Sequence, residues 1–326
     1  MHNILVVNVN WLGDAVFSTP VFKALKKNFP RARICCLCVS RVKEALAHCP
    51  HIDEIIVYDE KGRHRAPWAM AALTLQLRAR HFDAAFLLHR SFIRALMIFW
   101  AGIPVRVGYS KARWLLTHPV DLPGKDIHRL EMYLKVVEEY GLRVDDRCCV
   151  LTVGADIWPK GLAKDTAYVV FNTGGNWDLK QWPQDHWIEL TRRTGKAGVC
   201  VVFSGSGKDK ERCGHIIEAS GAGGVNLAGA TTLPEALALY KNAKVVVSCD
   251  TGPLHLADSV GANALALFGP TRPEITGPRG TGKVKVLFKD VGCNKAPCYH
   301  LACPKNVCMH SITVDDVWKA LEPQLR

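Results

Sequence analysis

A lone carboxylate stands where an apolar run gives way to a helical pattern near the start of the chain. In NVNWLGDAVFSTPVFKALKKNFP, residues 8–30, Asp14 follows the run Ile4–Val9 and a tight turn at Leu12-Gly13. Beyond it Val16, Phe17, Val21, Ala24 and Leu25 recur at helical spacing. An acid in that place either caps a helix or stands in a ligand loop, because open α/β sheets bind ligands at the carboxyl ends of their strands. In a ligand loop it can take a proton from a hydroxyl.

Other strand-end segments carry complementary chemistry. VVFNTGGNWDLKQWP runs from an apolar strand into Thr173-Gly174-Gly175, then Lys180, then Trp-Pro opening a helix. Glycines let the backbone approach a ligand closely, Thr173 offers a hydroxyl, and Lys180 is a point charge suited to a phosphate. VVVSCDTGPLHLADSVGANALALFGPT turns at Asp250-Thr251-Gly252 into a helix opened by Pro253, with His255 one turn in. Free amides and the positive dipole end there favour a diphosphate. The segment closes on another loop, Gly269-Pro270-Thr271, and VVFSGSGKDKER adds a further Gly-rich strand end. None of these matches the dinucleotide or P-loop fingerprint, which counts against nicotinamide-dependent and P-loop enzymes.

The elements that must position these loops alternate along the chain. ILVVNV, RICCLCV, EIIVY and AAFLL read as strands in one half, and YVVFNT, GVCVVFSG, KVVVSC and NALALFG in the other, with helical patterns between them. That is α/β organisation with parallel, doubly covered sheets. The expected plan is an N-terminal Rossmann-like domain over 1–155, a linker over 156–166, a second Rossmann-like domain over 167–312, and a C-terminal helix over 313–326. The helix is capped by Thr313 or Asp315 and is free to pack back toward the first domain. Two doubly wound domains facing one another would share a central cleft.

At 48% hydrophobic and 22% charged residues the composition is that of a soluble globular protein. No run is apolar for long enough to span a bilayer, and no signal-peptide pattern opens the chain, so a cytoplasmic location is expected. The net charge of +12 is concentrated in the first half, which suits an anionic partner such as a phosphorylated glycolipid or a membrane surface. No RNA-binding signature, zinc finger or Lys/Arg block accompanies it, so nucleic acid is not expected. Most of the 13 cysteines lie in or beside apolar runs and read as reduced thiols. Cys293, Cys298, Cys303 and Cys308 are spaced five apart. They read either as a structural zinc set, although the C-x-x-C spacing is missing, or as a loop packed by small thiols.

ILVVNVNWLGDAVFSTPVFKALKKNFP, NTGGNWDLKQWP and VVVSCDTGPLHLADSVGANALALFGPTRPEITGP, in that order, resemble the signature regions of glycosyltransferase family nine, the heptosyltransferases of lipopolysaccharide core assembly. RALMIFWAGIPVRVGYS is similar to the family's Arg/Gly segment. The resemblance implies the GT-B fold and an inverting transfer of heptose from ADP-heptose to a lipid A–core acceptor, with no metal or other cofactor required. It implies Asp14 as general base, with Thr173, Gly174 and Lys180 at the donor diphosphate. Asp250 would hold heptose hydroxyls, Thr251, Gly252 and His255 would line diphosphate and sugar, and Asp209 or Glu211 would meet the nucleoside. Arg63, Arg65, Arg90, Arg94 and Arg113 could pair with acceptor phosphates or acidic sugars. Peripheral binding to the cytoplasmic face of the inner membrane is expected. The rival readings are a GT-B enzyme using another nucleotide sugar on a different envelope glycan, and a non-catalytic nucleotide-sugar or glycolipid binder.

Overall fold

The computed structural model describes every residue except 122, 123, 125, 176, 294–296, 299–302 and 304. The chain divides into two compact units, Met1–Thr152 and Val153–Arg326. The expected linker, 156–166, falls just inside the second unit.

The first unit runs β1 (Asn3–Val7), α1 (Leu12–Phe17), α2 (Thr19–Asn28), β2 (Arg33–Cys38), α3 (Ser40–Leu46), β3 (Glu54–Val57), α4 (Pro67–Ala79), β4 (Ala84–Leu87), α5 (Phe92–Trp100), β5 (Val105–Gly108), β6 (His118–Pro119) and α6 (Arg129–Glu138). The second runs β7 (Tyr168–Asn172), α7 (Gln184–Lys196), β8 (Cys200–Phe203), α8 (Lys210–Ser220), β9 (Val225–Asn226), α9 (Leu233–Asn242), β10 (Val246–Cys249), α10 (Gly252–Ser259), β11 (Ala264–Phe268), α11 (Pro273–Thr276), β12 (Val284–Phe288), α12 (Val307–His310) and α13 (Val314–Leu321).

Both sheets are parallel, in the orders β3-β2-β1-β4-β5-β6 and β12-β11-β10-β7-β8-β9. Counted from its own first strand, each unit has the order 3-2-1-4-5-6, the doubly wound dinucleotide-fold arrangement. Continuous apolar runs such as Ile4–Val7, Phe86–Leu87 and Val246–Val247 are fully buried, as strands covered on both faces must be. Strand order reverses between β1 and β4 in one unit and between β7 and β10 in the other. Ligand crevices of this fold open at that reversal. Asp14 lies just beyond β1, Thr173 just beyond β7 and Asp250 just beyond β10.

The core of the second unit sets the position of one of these loops. Trp182 is fully buried, lies edge-on to Trp187 at 5.1 Å between ring centres, and donates from Nε1 to the Ile312 carbonyl at 2.8 Å. At roughly 25 cal/mol per Å², burying roughly 200 Å² of such a ring contributes at most on the order of 5 kcal/mol. That anchors Lys180, two residues earlier. Thr313 caps α13, accepting from the Asp316 amide at 3.2 Å while the Asp316 carboxylate accepts from the Thr313 amide at 2.8 Å. The helix buries Val317, Ala320 and Leu321 in this second core, where the sequence left it free to pack toward the first domain. Among the described residues no helix is long and apolar enough to cross a membrane.

Candidate active site

The polar centre of the second unit is Asp250, only 3% exposed. Its Oδ2 accepts from Lys180 Nζ at 2.6 Å, from Thr271 Oγ1 at 2.6 Å and from Thr276 Oγ1 at 3.1 Å. His255 Nε2 faces Oδ1 at 3.4 Å. Burial pushes the carboxyl pKa up, but the His255 hydrogen bond and the Lys180 charge outweigh it and hold the group well below the usual carboxylate range. The loops after β7, β10 and β11, with α10 and α11, thus meet on one carboxylate. Lys180 also donates to the Asp250 carbonyl at 3.1 Å and lies over the Trp177 ring, yet keeps 17% of its side chain exposed. A cation held on one side and open on the other can meet a diphosphate.

Close backbone approach explains the glycines beside it. A Cβ on Gly174 would fall 2.0 Å from Asp209 Oδ1, and one on Gly175 would fall 2.9 Å from Thr251 Cγ2. The loop after β7 is therefore seated between the loops after β8 and β10. Asp209 accepts from the Ser206 amide at 2.8 Å and hydroxyl at 2.7 Å, capping a short 3-10 turn, while Glu211 is exposed in the first turn of α8. Thr173 faces inward: it is fully buried and its hydroxyl lies 3.5 Å from Cys213 Sγ, which departs from the ligand-facing hydroxyl expected from the sequence. Thr251 is the N-cap of α10 but makes no capping hydrogen bond; its hydroxyl lies 3.3 Å from the Cys249 carbonyl. The helix begins at Gly252 and directs its positive end to this sheet edge. Buried Asp258 adds a second acid to the electrostatics of His255; burial pushes its carboxyl pKa up, and it accepts from the Gly282 amide at 3.2 Å.

In the first unit, Asp14 occupies the third position of α1, whose N-cap is Trp11. Asp14 is thus a first-turn acid of α1, neither its N-cap nor part of the loop before it. It is half-buried, and its Oδ1 accepts from the Tyr133 hydroxyl at 2.6 Å. Tyr133 lies on α6 and is 5% exposed. Burial first, and the Asp14 charge second, push the phenol well above its ordinary value, so it remains a donor. His128 sets the start of α6: its Nδ1 accepts from the Leu130 amide at 3.1 Å, and its ring lies edge-on to Phe17 of α1 at 5.1 Å. Nothing in the sequence links Tyr133 to Asp14, although Leu130, Tyr133, Leu134 and Val137 mark the buried stripe of α6.

The arginines divide. Arg63, Arg65 and Arg90 are exposed in the loops after β3 and β4, and Arg113, after β5, is paired with Asp121. All follow parallel strands, on the same sheet edge as Asp14. Arg94 departs from the expectation of an acceptor-facing cation. It is 2% exposed and donates to the Asn8 carbonyl at 2.8 Å, to Asn10 Oδ1 at 2.7 Å and to Glu60 at 3.2 Å. The signal was present, since Arg94 falls in the apolar stripe of Ile98 and Ala101. All thirteen cysteines are free thiols, and burial pushes Cys49 and Cys249 up to about 12. Among the described residues no group of three or more His, Cys, Asp or Glu side chains is arranged to hold a metal. Cys293, Cys298, Cys303 and Cys308 are therefore not gathered into a ligand set there, the first and third being exposed; parts of the chain between them lie outside the described residues.

The model of glycosyltransferase family 9 (heptosyltransferase) matches residues 70–307. The chain belongs to that family and is a glycosyltransferase. It is 29% identical to lipopolysaccharide heptosyltransferase 2 of Escherichia coli K12, over 90% of this chain and 89% of that one. It is 36% identical to lipopolysaccharide heptosyltransferase 1 of Pseudomonas aeruginosa PAO1, over 46% of this chain and 39% of that one. Among solved structures, E. coli ADP-heptose lps heptosyltransferase II superposes with a TM-score of 0.81 at 25% identity, covering 100% of this chain and 98% of that one. The family 9 glycosyltransferase of Veillonella parvula gives a TM-score of 0.86 at 23% identity, covering 99% and 97%. The fold is GT-B.

Proposed function

We propose that this protein moves heptose from ADP-heptose to a lipopolysaccharide core acceptor, with inversion at the anomeric carbon, at the cytoplasmic face of the inner membrane. The observation that carries the donor side is the buried Asp250 centre, which holds a partly exposed Lys180 beside the start of α10. As the bond from the anomeric carbon to the diphosphate breaks, negative charge grows on the leaving oxygen. Lys180 and the helix end supply preorganised positive charge for it, with no divalent cation needed. Asp250 then orients Lys180 through Oδ2, which Thr271 and Thr276 also fill, and shares Oδ1, which faces His255, with the sugar.

On the acceptor side, the attacking hydroxyl forms the new bond to the anomeric carbon and passes its proton to Asp14. Tyr133 holds Oδ1, which leaves Oδ2 as the basic oxygen. The proton moves late, once bonding to the anomeric carbon has made the attacking oxygen acidic. Arg63, Arg65 and Arg90 supply cations for the phosphates of the acceptor.

Incubating the protein with ADP-heptose and truncated core glycolipids, in the presence of EDTA, and reading products by mass spectrometry tests this reading. A single added heptose is the expected product. Asp14→Ala should lower turnover by about 10³-fold while leaving ADP binding by calorimetry intact. Turnover near wild type in that variant would remove Asp14 from its role, and a requirement for added divalent cation would overturn the account of the leaving group.

A further inference from the structure

Two helices of the first unit present apolar side chains to water as well as to the core. On α4, Leu73 and Leu77 are buried, while Trp68 is 78% exposed and Leu75 64% exposed. On α5, Ala95, Met97 and Ile98 are buried, while Phe92, Ile93, Phe99 and Trp100 project outward, Trp100 with 59% of its surface free. Trp114 is 68% exposed, and its ring meets Phe99 edge-on at 6.0 Å. The buried sides of α4 and α5 join one core cluster with Leu5, Leu37 and Leu87 of the sheet. Their outward stripes therefore point away from the same sheet face. Of the ten exposed large hydrophobic side chains among the described residues, seven lie here. Clustering of that kind marks an interaction surface rather than scattered surface apolarity.

The charge around this face is one-sided. Residues 61–120 hold ten Lys/Arg and a single acid, Asp83; three of the ten, Arg80, Arg94 and Arg113, pair with Glu54, Glu60 and Asp121 from outside that stretch, and the excess stays positive. Asp83 is engaged at the chain start, accepting from the Asn3 amide at 2.9 Å. Arg63 and Arg65 lead into α4 and Arg90 leads into α5. Lys111 and Arg113 flank Trp114, and Arg106 lies over the Phe99 ring at 5.3 Å. A second copy of this chain would bring like charges together, which disfavours self-association through this face.

We infer that the α4–α5 face docks on an anionic lipid bilayer. The Trp and Phe rings enter the boundary between headgroups and acyl chains, and the surrounding cations pair with lipid phosphates. This deepens the proposed function by naming the surface that brings a membrane-borne acceptor to the loop arginines. It adds an apolar component to the attraction of the basic half, so salt alone weakens binding without abolishing it.

Flotation of the full chain with vesicles tests the assignment. Vesicles of phosphatidylcholine mixed with phosphatidylglycerol should bind it, with a blue shift of tryptophan emission, and vesicles of phosphatidylcholine alone should bind it far less. Trp68→Ser with Trp100→Ser should weaken binding by at least about tenfold, and Leu75→Ser, which removes no ring, should weaken it in the same direction. Undiminished binding in the Trp variant would overturn the proposal. So would a wild-type dimer, read by light scattering, that these substitutions dissociate. Heptose transfer to a detergent-solubilised acceptor separates the two readings. The Trp variant should match wild type there, and absence of transfer in the wild type would remove the heptosyl reading while leaving the vesicle result in force.

Discussion

The two units share one strand order, and each bridges its point of strand reversal with a buried charge, but the charges have opposite sign. In the first unit Arg94, from the helix after the fourth strand, reaches the Asn8 carbonyl and Asn10 beyond the first strand. In the second, Asp250, beyond the fourth strand, takes the ammonium of Lys180, which follows the first. Arg94 is consumed by protein acceptors and 2% exposed; Lys180 is held by Asp250 and remains 17% exposed. One bridge stiffens a loop that presents a carboxylate, Asp14, on the next helix. The other presents a cation. The same topology thus leaves a half-buried carboxylate beyond the first strand of one unit and a partly exposed cation beyond the first strand of the other.

Breaking the second bridge should have the larger effect. Asp250→Ala leaves Lys180 and two threonine hydroxyls without their shared acceptor, and removing one partner of a buried pair costs about 3–5 kcal/mol. Denaturant unfolding should report a loss of that size, with ADP affinity falling in parallel; an unmoved midpoint would contradict the central place given to Asp250. Arg94→Met should cost less, about 1–3 kcal/mol, because its acidic partner Glu60 is partly exposed and can turn to water. Equal losses in the two variants would erase the contrast drawn between the bridges.

Tyr133→Phe sharpens the comparison further, since it removes one hydrogen bond and leaves the ring in place. Stability should change by about 1 kcal/mol and kcat should fall about tenfold, with KM for both substrates unchanged. In an Asp14→Ala background the substitution should have no further effect on rate. A Tm loss with an unaltered kcat would make Tyr133 merely structural.

The smallest effect near neutral pH is expected from a pH dependence of the first unit that emerges only in acid. Burial first, and the Arg94 charge second, depress His89 from 6.5 to about 4. The folded chain keeps His89 neutral where the unfolded chain binds a proton, so its contribution to stability is complete above pH 6.5 and is lost as pH falls toward 4. His89→Gln should flatten the fall of Tm across that window and leave Tm near neutrality almost unchanged. An identical acid profile in the two proteins would refute the assignment.

Much of the site could be read from local pattern. Asp14, Thr173-Gly174, Lys180 and Asp250-Thr251-Gly252 stand at strand ends because glycine and proline interrupt apolar runs there, and those breaks are visible in any α/β chain. Partnerships were less legible. Thr271 was recognisable as part of a loop on the same edge, but its bond to Asp250, and that of Thr276, required strands β10 and β11 to be neighbours. Arg94 resembled a surface cation until the helix face it shares with Ile98 turned inward. Thr173 looked like a ligand hydroxyl, yet its side of the strand end faces Cys213.

By itself the sequence determined where strands and helices alternate, which loops carry acids, cations and glycines, and that the basic charge gathers in the first half. These follow from periodicity and composition over short windows. Only the tertiary structure decided which of those groups meet: Asp14 with Tyr133 across 119 positions, Lys180 with Asp250 across 70. The reason is geometric. Hydrogen bonds and ion pairs act over about 3 Å, and whether distant residues come that close depends on strand order and helix rotation, which whole-domain packing sets.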